Sequence, residues 1–237
     1  MTELKAAIVP VTPFQQNCTI LWEEPSKRAV VIDPGGEVPR ILESLAKLGV
    51  RVERILLTHG HIDHAGGAAA LKEALEQAAR TGAGSPAPSP ALPVEGSPPT
   101  ISIEGPDQRD RFLLQGLEAQ APMFGMSGVQ NVLPDRWVAE GDQVKVGEQA
   151  FEVLHCPGHT PGHVVFVNPA ARFAIVGDVL FSGSIGRTDF PYGDHAALIR
   201  AIKDKLLPLG DDVSFICGHG PGSTIGAERR TNPFIRA

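Results

Sequence analysis

The run Thr58-His59-Gly60-His61-Ile62-Asp63-His64 constrains this chain more than any other segment. Eight histidines occur in 237 residues, and His59, His61 and His64 crowd into this one run. On an extended or tightly turned backbone, His59 and His61 can aim at one point, and Gly60, Gly66 and Gly67 permit the turn. The run follows Arg54-Ile55-Leu56-Leu57-Thr58 directly, a stretch with the composition of a buried strand. Residues at the end of such a strand stand where a sheet opens to solvent, a common place for a site. Three later islands repeat the arrangement beside apolar strands: Cys156-Pro-Gly-His159-Thr-Pro-Gly-His163, Val176-Gly-Asp178-Val-Leu-Phe181 and Cys217-Gly-His219-Gly220.

Imidazole and carboxylate together suit zinc, iron or manganese. His59, His61, His64, His159 and His219, with Asp63 and Asp178, are enough donors for two divalent ions. A metal pair ~3.5–4 Å apart can activate a water and polarise a reacting carbonyl. His155 and His163 read as structural, hydrogen-bonded histidines, and His195 as a surface residue that opens a helix. Cys18, Cys156 and Cys217 lack zinc-type spacing and read as small buried apolar residues. Three cysteines make no disulfide framework, which favours a reducing compartment.

The rest of the chain reads as α/β. Ile8–Val11, Thr19–Trp22, Ala29–Asp33, Val164–Val167, Phe173–Val176 and Val213–Cys217 have strand composition, and Thr100–Ile103 resembles one. Val144–Val153 reads as a hairpin turning at Gly147. Ile41, Leu45 and Leu48 recur at helical spacing before Gly49, and Ala65–Ala79 reads as a second helix. Asp194 caps a third, in which Leu198, Ile202 and Leu206 share a face. A Gly/Ser/Pro/Ala-rich stretch over 81–99 reads as a flexible surface insertion. Candidate ligands lie on both sides of it, so residues 1–237 are expected to form one domain. The net charge of −6 argues against nucleic-acid binding. No basic-then-apolar leader occurs, and no apolar run approaches the ~18 residues that span a membrane. A cytoplasmic protein with a small-molecule substrate is expected, with the oligomeric state left open.

Thr58-His59-Gly60-His61-Ile62-Asp63-His64-Ala65-Gly66-Gly67 resembles the T-H-x-H-x-D-H-x-G-G motif of the metallo-β-lactamase superfamily, and His159, Asp178 and His219 follow in the same chain order. A closer resemblance is to the small bacterial glyoxalase II-like hydroxyacylglutathione hydrolases. It is carried by Gly177-Asp178-Val-Leu-Phe181, Gly186-Arg187-Thr-Asp-Phe-Pro191, Gly193-Asp194-His195, Lys205–Asp212, Gly218-His219-Gly-Pro221 and Glu228–Phe234. The resemblance implies an αββα sandwich with the site at one edge of its two sheets. It implies a first ion held by His59, His61 and His159, a second held by Asp63, His64 and His219, and Asp178 bridging. Asp63 would also orient the attacking water. Zinc is the leading ion, with iron or manganese as alternatives. The implied reaction is hydrolysis of an S-acyl thioester, S-lactoylglutathione to lactate and glutathione.

Full-length glyoxalase II enzymes grip glutathione with a lysine, two tyrosines and a C-terminal helical domain. Arg187 fills the lysine position and is the candidate for a substrate carboxylate, whereas Asp189 and Pro221 occupy the tyrosine positions. Little chain follows His219, so the helical domain is expected to be absent. True zinc β-lactamases usually carry cysteine at the position of Asp178 and often arginine at that of His64, which argues against lactam hydrolysis. Alternatives within the superfamily are a persulfide dioxygenase, with one iron on His59, His159 and Asp178, and a lactonase or other esterase. A non-catalytic relative would have lost ligands, and none is missing.

Overall fold

A computed structural model describes residues 3–81 and 100–236. The 81–99 insertion therefore lies outside the described residues, apart from Thr81. Two mixed sheets face each other. The first runs β1 (Leu4–Val11), β2 (Gln16–Glu23), β3 (Arg28–Ile32), β4 (Arg51–Leu56) and β5 (Ser102–Glu104) in spatial order. Its first two junctions are antiparallel and its last two parallel. The second contains the hairpin β6 (Gln143–Val146) and β7 (Gln149–His155), then β8 (Val164–Asn168) and β9 (Phe173–Gly177). A short ribbon, β10 (Leu180–Phe181) and β11 (Ser184–Ile185), leaves it before β12 (Ser214–Cys217) and β13 (Ser223–Thr224) close its far edge.

The apolar runs lack a clean alternation because both faces of each sheet are covered. Leu21, Val30, Ile32 and Leu56 point inward and meet Phe151, Val153, Val164, Phe166 and Ile175 of the opposite sheet. Their neighbours point outward. Ile20, Ala29 and Val31 pack beneath α1 (Val38–Leu48), α2 (Ile62–Ala65) and α3 (Ala68–Thr81), with Leu114 of α4 (Arg111–Leu114) and Leu117 of α5 (Leu117–Gln120). Val165, Val176 and Phe215 pack beneath α6 (His195–Ala201) and α7 (Ile225–Thr231). Four layers result, helix–sheet–sheet–helix, as the resemblance implies. Among the described residues no helix is long and apolar enough to cross a membrane.

Local chemistry explains where the elements stop. Gly49 ends α1 in the left-handed region at φ 63°, its N–H bonded to the carbonyls of Ala46 and Leu45. Asp194 caps α6 through the Ala197 N–H, but the helix widens into a π turn over Ile202–Leu206 instead of continuing regularly. The helix expected over Ala65–Ala79 is two helices. Gly66 and Gly67 break it because they lie against the loop after β3, where the Gly67 N–H donates to the Pro34 carbonyl at 2.9 Å. The strand expected at Thr100–Ile103 runs from Ser102 to Glu104, where it can pair with β4.

The loops after β3, β4, β7, β9 and β12 gather at one edge. Cross-sheet backbone bonds seal that edge: Val164 N–H to Thr58 O at 2.8 Å and Asn17 N–H to Gly218 O at 2.8 Å. The closest approach is at Gly35, where a Cβ would lie 1.5 Å from the carbonyl oxygen of Asp63. Gly35→Ala is expected to cost about 3 kcal/mol or more through overpacking. Gly49→Ala, with open space but a left-handed backbone, should cost about 1–2 kcal/mol. Thermal denaturation checks the order, with the Gly35 variant losing roughly 6–12 °C.

Candidate metal centre

The helix break and the strand ends place seven donors around one cleft. Leu57 and Thr58 prolong β4, His59 to His61 turn away from it, and α2 carries Asp63 and His64. His159 lies in the β7–β8 loop, Asp178 just past β9, and His219 just past β12. Two triads emerge, His59–His61–His159 and Asp63–His64–His219, each with donor atoms within 4.8 Å of one another. In the first, His61 Nδ1 is 3.1 Å from His59 Nε2 and 2.9 Å from His159 Nε2. In the second, Asp63 Oδ2 is 3.2 Å from His219 Nε2 and 3.8 Å from His64 Nε2. Asp178 sits between them. One oxygen is 3.4 Å from His64 Nε2, and the other is 3.5 Å from His159 Nε2 and 3.6 Å from His219 Nε2.

The hydrogen-bond network sets which nitrogen of each ring faces inward. Thr58 donates its backbone N–H to Asp33 Oδ1 at 2.8 Å and its hydroxyl to Asp33 Oδ2 at 2.6 Å. With its proton committed, the Thr58 oxygen accepts from His59 Nδ1–H at 3.0 Å. His64 Nδ1–H donates to Asp33 Oδ2 at 2.9 Å. His159 Nδ1–H donates to the Arg187 carbonyl at 2.8 Å, and His219 Nδ1–H to the Phe14 carbonyl at 3.3 Å. His61 reverses the pattern: its Nε2 meets the Tyr192 hydroxyl at 2.9 Å and its Nδ1 faces the cluster. Every ring thus spends its outer nitrogen on the protein and turns the other nitrogen inward, the orientation of a metal-ligating histidine.

The donor set fits a cation on a second ground. His64 Nε2 and Asp178 Oδ1 are buried polar atoms without a hydrogen-bond partner. Such atoms normally cost about 1–3 kcal/mol each unless something else satisfies them. Asp33 also falls near His59 and His64 as a possible third grouping. Its oxygens are already occupied by Thr58 and His64, which makes it the anchor of the donors.

Electrostatics divide the two triads. Burial and the surrounding imidazoles hold His59 well below the usual imidazole range, and burial with His159 pushes His61 down to about 3. Burial also lowers His159. Burial works against charge on His64 too, but Asp178 and Asp63 outweigh it and raise its pKa well above the ordinary value. His219 is raised despite burial by Asp63 and Asp178. Burial opposes ionisation of Asp178, yet His64, His159 and His219 hold it far below the carboxylate range. Charge is thus disfavoured on the imidazoles of the first triad and favoured on those of the second.

Other residues frame the cleft. His163 stacks on His59 with ring centroids 4.7 Å apart and accepts from the Asp178 N–H at 3.0 Å. His155 bonds the Pro161 carbonyl at 2.8 Å, and His195 is exposed. Phe190 lies 4.9 Å from His61 and stacks on Tyr192 at 5.3 Å. The Arg187 side chain is exposed, lies over Phe190 and donates from Nε and Nη2 to the two oxygens of Asp189, at 2.7 and 2.8 Å. A cavity of about 570 Å³ lies between Thr12, Gln15, Arg40, Gly66 and Met126, and none of the seven donors lines it. Asp33, Thr58 and Tyr192 are the site residues that sequence reasoning missed. Asp33 left a signal, an aspartate ending an apolar strand just as the histidine run ends β4. Tyr192 left none.

The sequence pattern of the metallo-β-lactamase superfamily matches residues 11–219. The chain belongs to that superfamily. Hydroxyacylglutathione hydrolase GloC of Haemophilus influenzae is 43% identical over 231 residues, 97% of each chain. With that similarity, the chain is an enzyme of the glyoxalase II-like hydrolase group within the superfamily. Among solved structures, TTHA1623 in a di-iron-bound form superimposes with a TM-score of 0.76 at 34% identity, over 96% of this chain and 99% of that one. BLEG-1 B3 metallo-β-lactamase gives 0.80 at 30% identity, over 98% and 100%. The superfamily, the His/Asp cluster and the di-iron relative together support divalent metal binding.

Metal competes with protons at the second triad, where the pKa values of His64 and His219 are raised, more than at the first, where those of His59, His61 and His159 are lowered. Affinity of the second subsite is therefore expected to rise with pH through and above the imidazole range, while that of the first stays nearly flat. Calorimetric metal titrations at several pH values check this. Asp33→Ala frees the outer nitrogens in both triads, and should weaken both subsites about 10–100-fold.

Proposed function

We propose that this protein is a two-metal thioester hydrolase acting on S-lactoylglutathione, releasing lactate and glutathione. The observation that carries the reading is Asp178, whose carboxylate lies between the triads, one oxygen beside His64 of the second and the other beside His159 of the first and His219 of the second. His59, His61 and His159 would hold one divalent ion, Asp63, His64 and His219 the other, and Asp178 both. Zinc is the first expectation from the donor set, and the di-iron-bound relative favours iron as the alternative. Bound metal supplies an acidified water as nucleophile and a Lewis acid for the thioester carbonyl.

The chain's own residues do the rest. Asp63, less buried than His64, keeps a carboxylate at the open side of the cleft, where it orients the attacking water. Asp33 and the backbone carbonyls of Arg187 and Phe14 hold the imidazoles in one tautomer, so no reorganisation is needed during reaction. Phe190 and Tyr192 shield the His61 side from water. A thiolate leaves readily, so no separate general acid is required. Arg187 would take a substrate carboxylate by exchanging it for Asp189. The similarity to GloC supports glutathione as the carrier.

A second reading, β-lactam hydrolysis, draws on the likeness to BLEG-1. Purified, metal-loaded protein is expected to release thiol from S-lactoylglutathione in a chelator-sensitive way and to leave a chromogenic β-lactam intact. The opposite pattern would replace the first reading by the second. Asp178→Ala should lose metal and more than about 100-fold of activity together. Activity retained at normal metal content would contradict the bridging role. Arg187→Ala should raise KM roughly three- to tenfold with little change in kcat, and Asp189→Asn should lower KM.

A further inference from the structure

Asp110 belongs to none of the metal-facing groups, yet it is fully buried beside them. It ends a 3-10 turn, Gln108–Asp110, that leads into α4. Its Oδ2 accepts from the Gly60 N–H at 2.9 Å and from the Thr160 hydroxyl at 2.6 Å. Its Oδ1 accepts from the Gly162 N–H at 2.5 Å. Gly60 lies between His59 and His61, and Thr160 adjoins His159. The first loop leaves the first sheet, and the second joins two strands of the other. One carboxylate therefore ties together the two loops that must converge to build the first triad.

The fit around Asp110 leaves little slack. A Cβ on Gly60 would lie 2.7 Å from Leu113 Cβ, and one on Gly162 would lie 2.8 Å from Asp110 Cγ and 2.6 Å from the Asp107 carbonyl oxygen. The turn is anchored again at its start, where the Asp107 N–H donates to Gly162 O at 3.0 Å and the Asp107 side chain accepts from the Arg109 N–H at 3.0 Å. All three hydrogen bonds to the Asp110 side chain come from groups flanking the first triad. The second triad makes no such contact with Asp110; its histidines are held by Asp33, which also reaches His59 through Thr58, and by the loop between β1 and β2.

We propose that Asp110 is the positioning residue of the first metal subsite, fixing the span between the His59–His61 loop and His159 and thereby that subsite's affinity. The inference rests on the two-ion reading of the site. Replacing Asp110 by asparagine sets an NH₂ group against N–H donors, because an amide has one acceptor where the carboxylate has two. The loops must then part, and the first subsite should loosen while the second does not. Thr160→Val removes one of the three bonds at constant shape and should act in the same direction more weakly.

The test is a cobalt(II) titration of metal-free protein, followed by visible absorption and by total bound metal, with His219→Ala used to assign the second-subsite transition. Wild type is expected to take up two equivalents. Asp110→Asn should weaken only the first-subsite transition, about 10–100-fold, and alter its absorption band. If that variant does not fold, Thr160→Val decides by the same selective shift. Two equivalents in wild type with both transitions unchanged in the variants, or shifted equally, would overturn the role of Asp110 and leave the two-ion reading intact. Fewer than two equivalents in wild type would overturn the two-ion reading, and this inference with it.

Discussion

The Asp33 carboxylate is the interaction on which the site depends. It stands in the left-handed region, φ 53°, at the end of β3, and that turn brings its oxygens onto the neighbouring strand end. It accepts the Thr58 N–H, the Thr58 hydroxyl and the His64 Nδ1–H, and through Thr58 it also governs His59. One buried anion thus sets ring orientation in both triads. The parallel pairing of β3 with β4 places the two strand ends side by side, so the sheet itself supplies the geometry. A non-glycine residue held in this backbone region stores strain that the surrounding packing must offset, and such residues gather at functional sites.

The cluster holds an excess of converging acceptors. Lone pairs from five imidazoles and the oxygens of two carboxylates face one small volume, and two of these atoms are buried without any partner. Asp63 and Asp178 raise the pKa of His64 and His219, so the second triad favours a proton where the first, buried among imidazoles, disfavours one. The fold accepts this frustration locally because three apolar core layers, one between the sheets and one beneath the helices on each side, stabilise the frame elsewhere.

Much of this was legible in the sequence, for identifiable reasons. The histidine run and its three later islands mark strand ends because polar donors interrupt apolar runs there, and the structure brings all seven named donors into one cleft. The layered fold follows from continuously apolar strands and the 3.6-residue pattern at Ile41 and Leu45. The break between α2 and α3 was not legible, since Ala-rich composition extends across Gly66 and Gly67 and only their contact with Pro34 splits the helix. Neither were Asp110 and Tyr192, which lie far along the chain from the histidines they serve. Arg187, named as a contact for a substrate carboxylate, gives its carbonyl to His159 and pairs its guanidinium with Asp189. Hydrogen bonds between sequence-distant groups are decided by tertiary packing, which no local pattern encodes.

The central claim is that the inward donors hold two ions with Asp178 between them. Anomalous diffraction from crystals of the metal-loaded protein tests it most directly. The account predicts two anomalous peaks about 3.5–4 Å apart, one against His59, His61 and His159 and the other against Asp63, His64 and His219. A single peak against His59, His159 and Asp178, with the second triad empty at saturating metal, would contradict it.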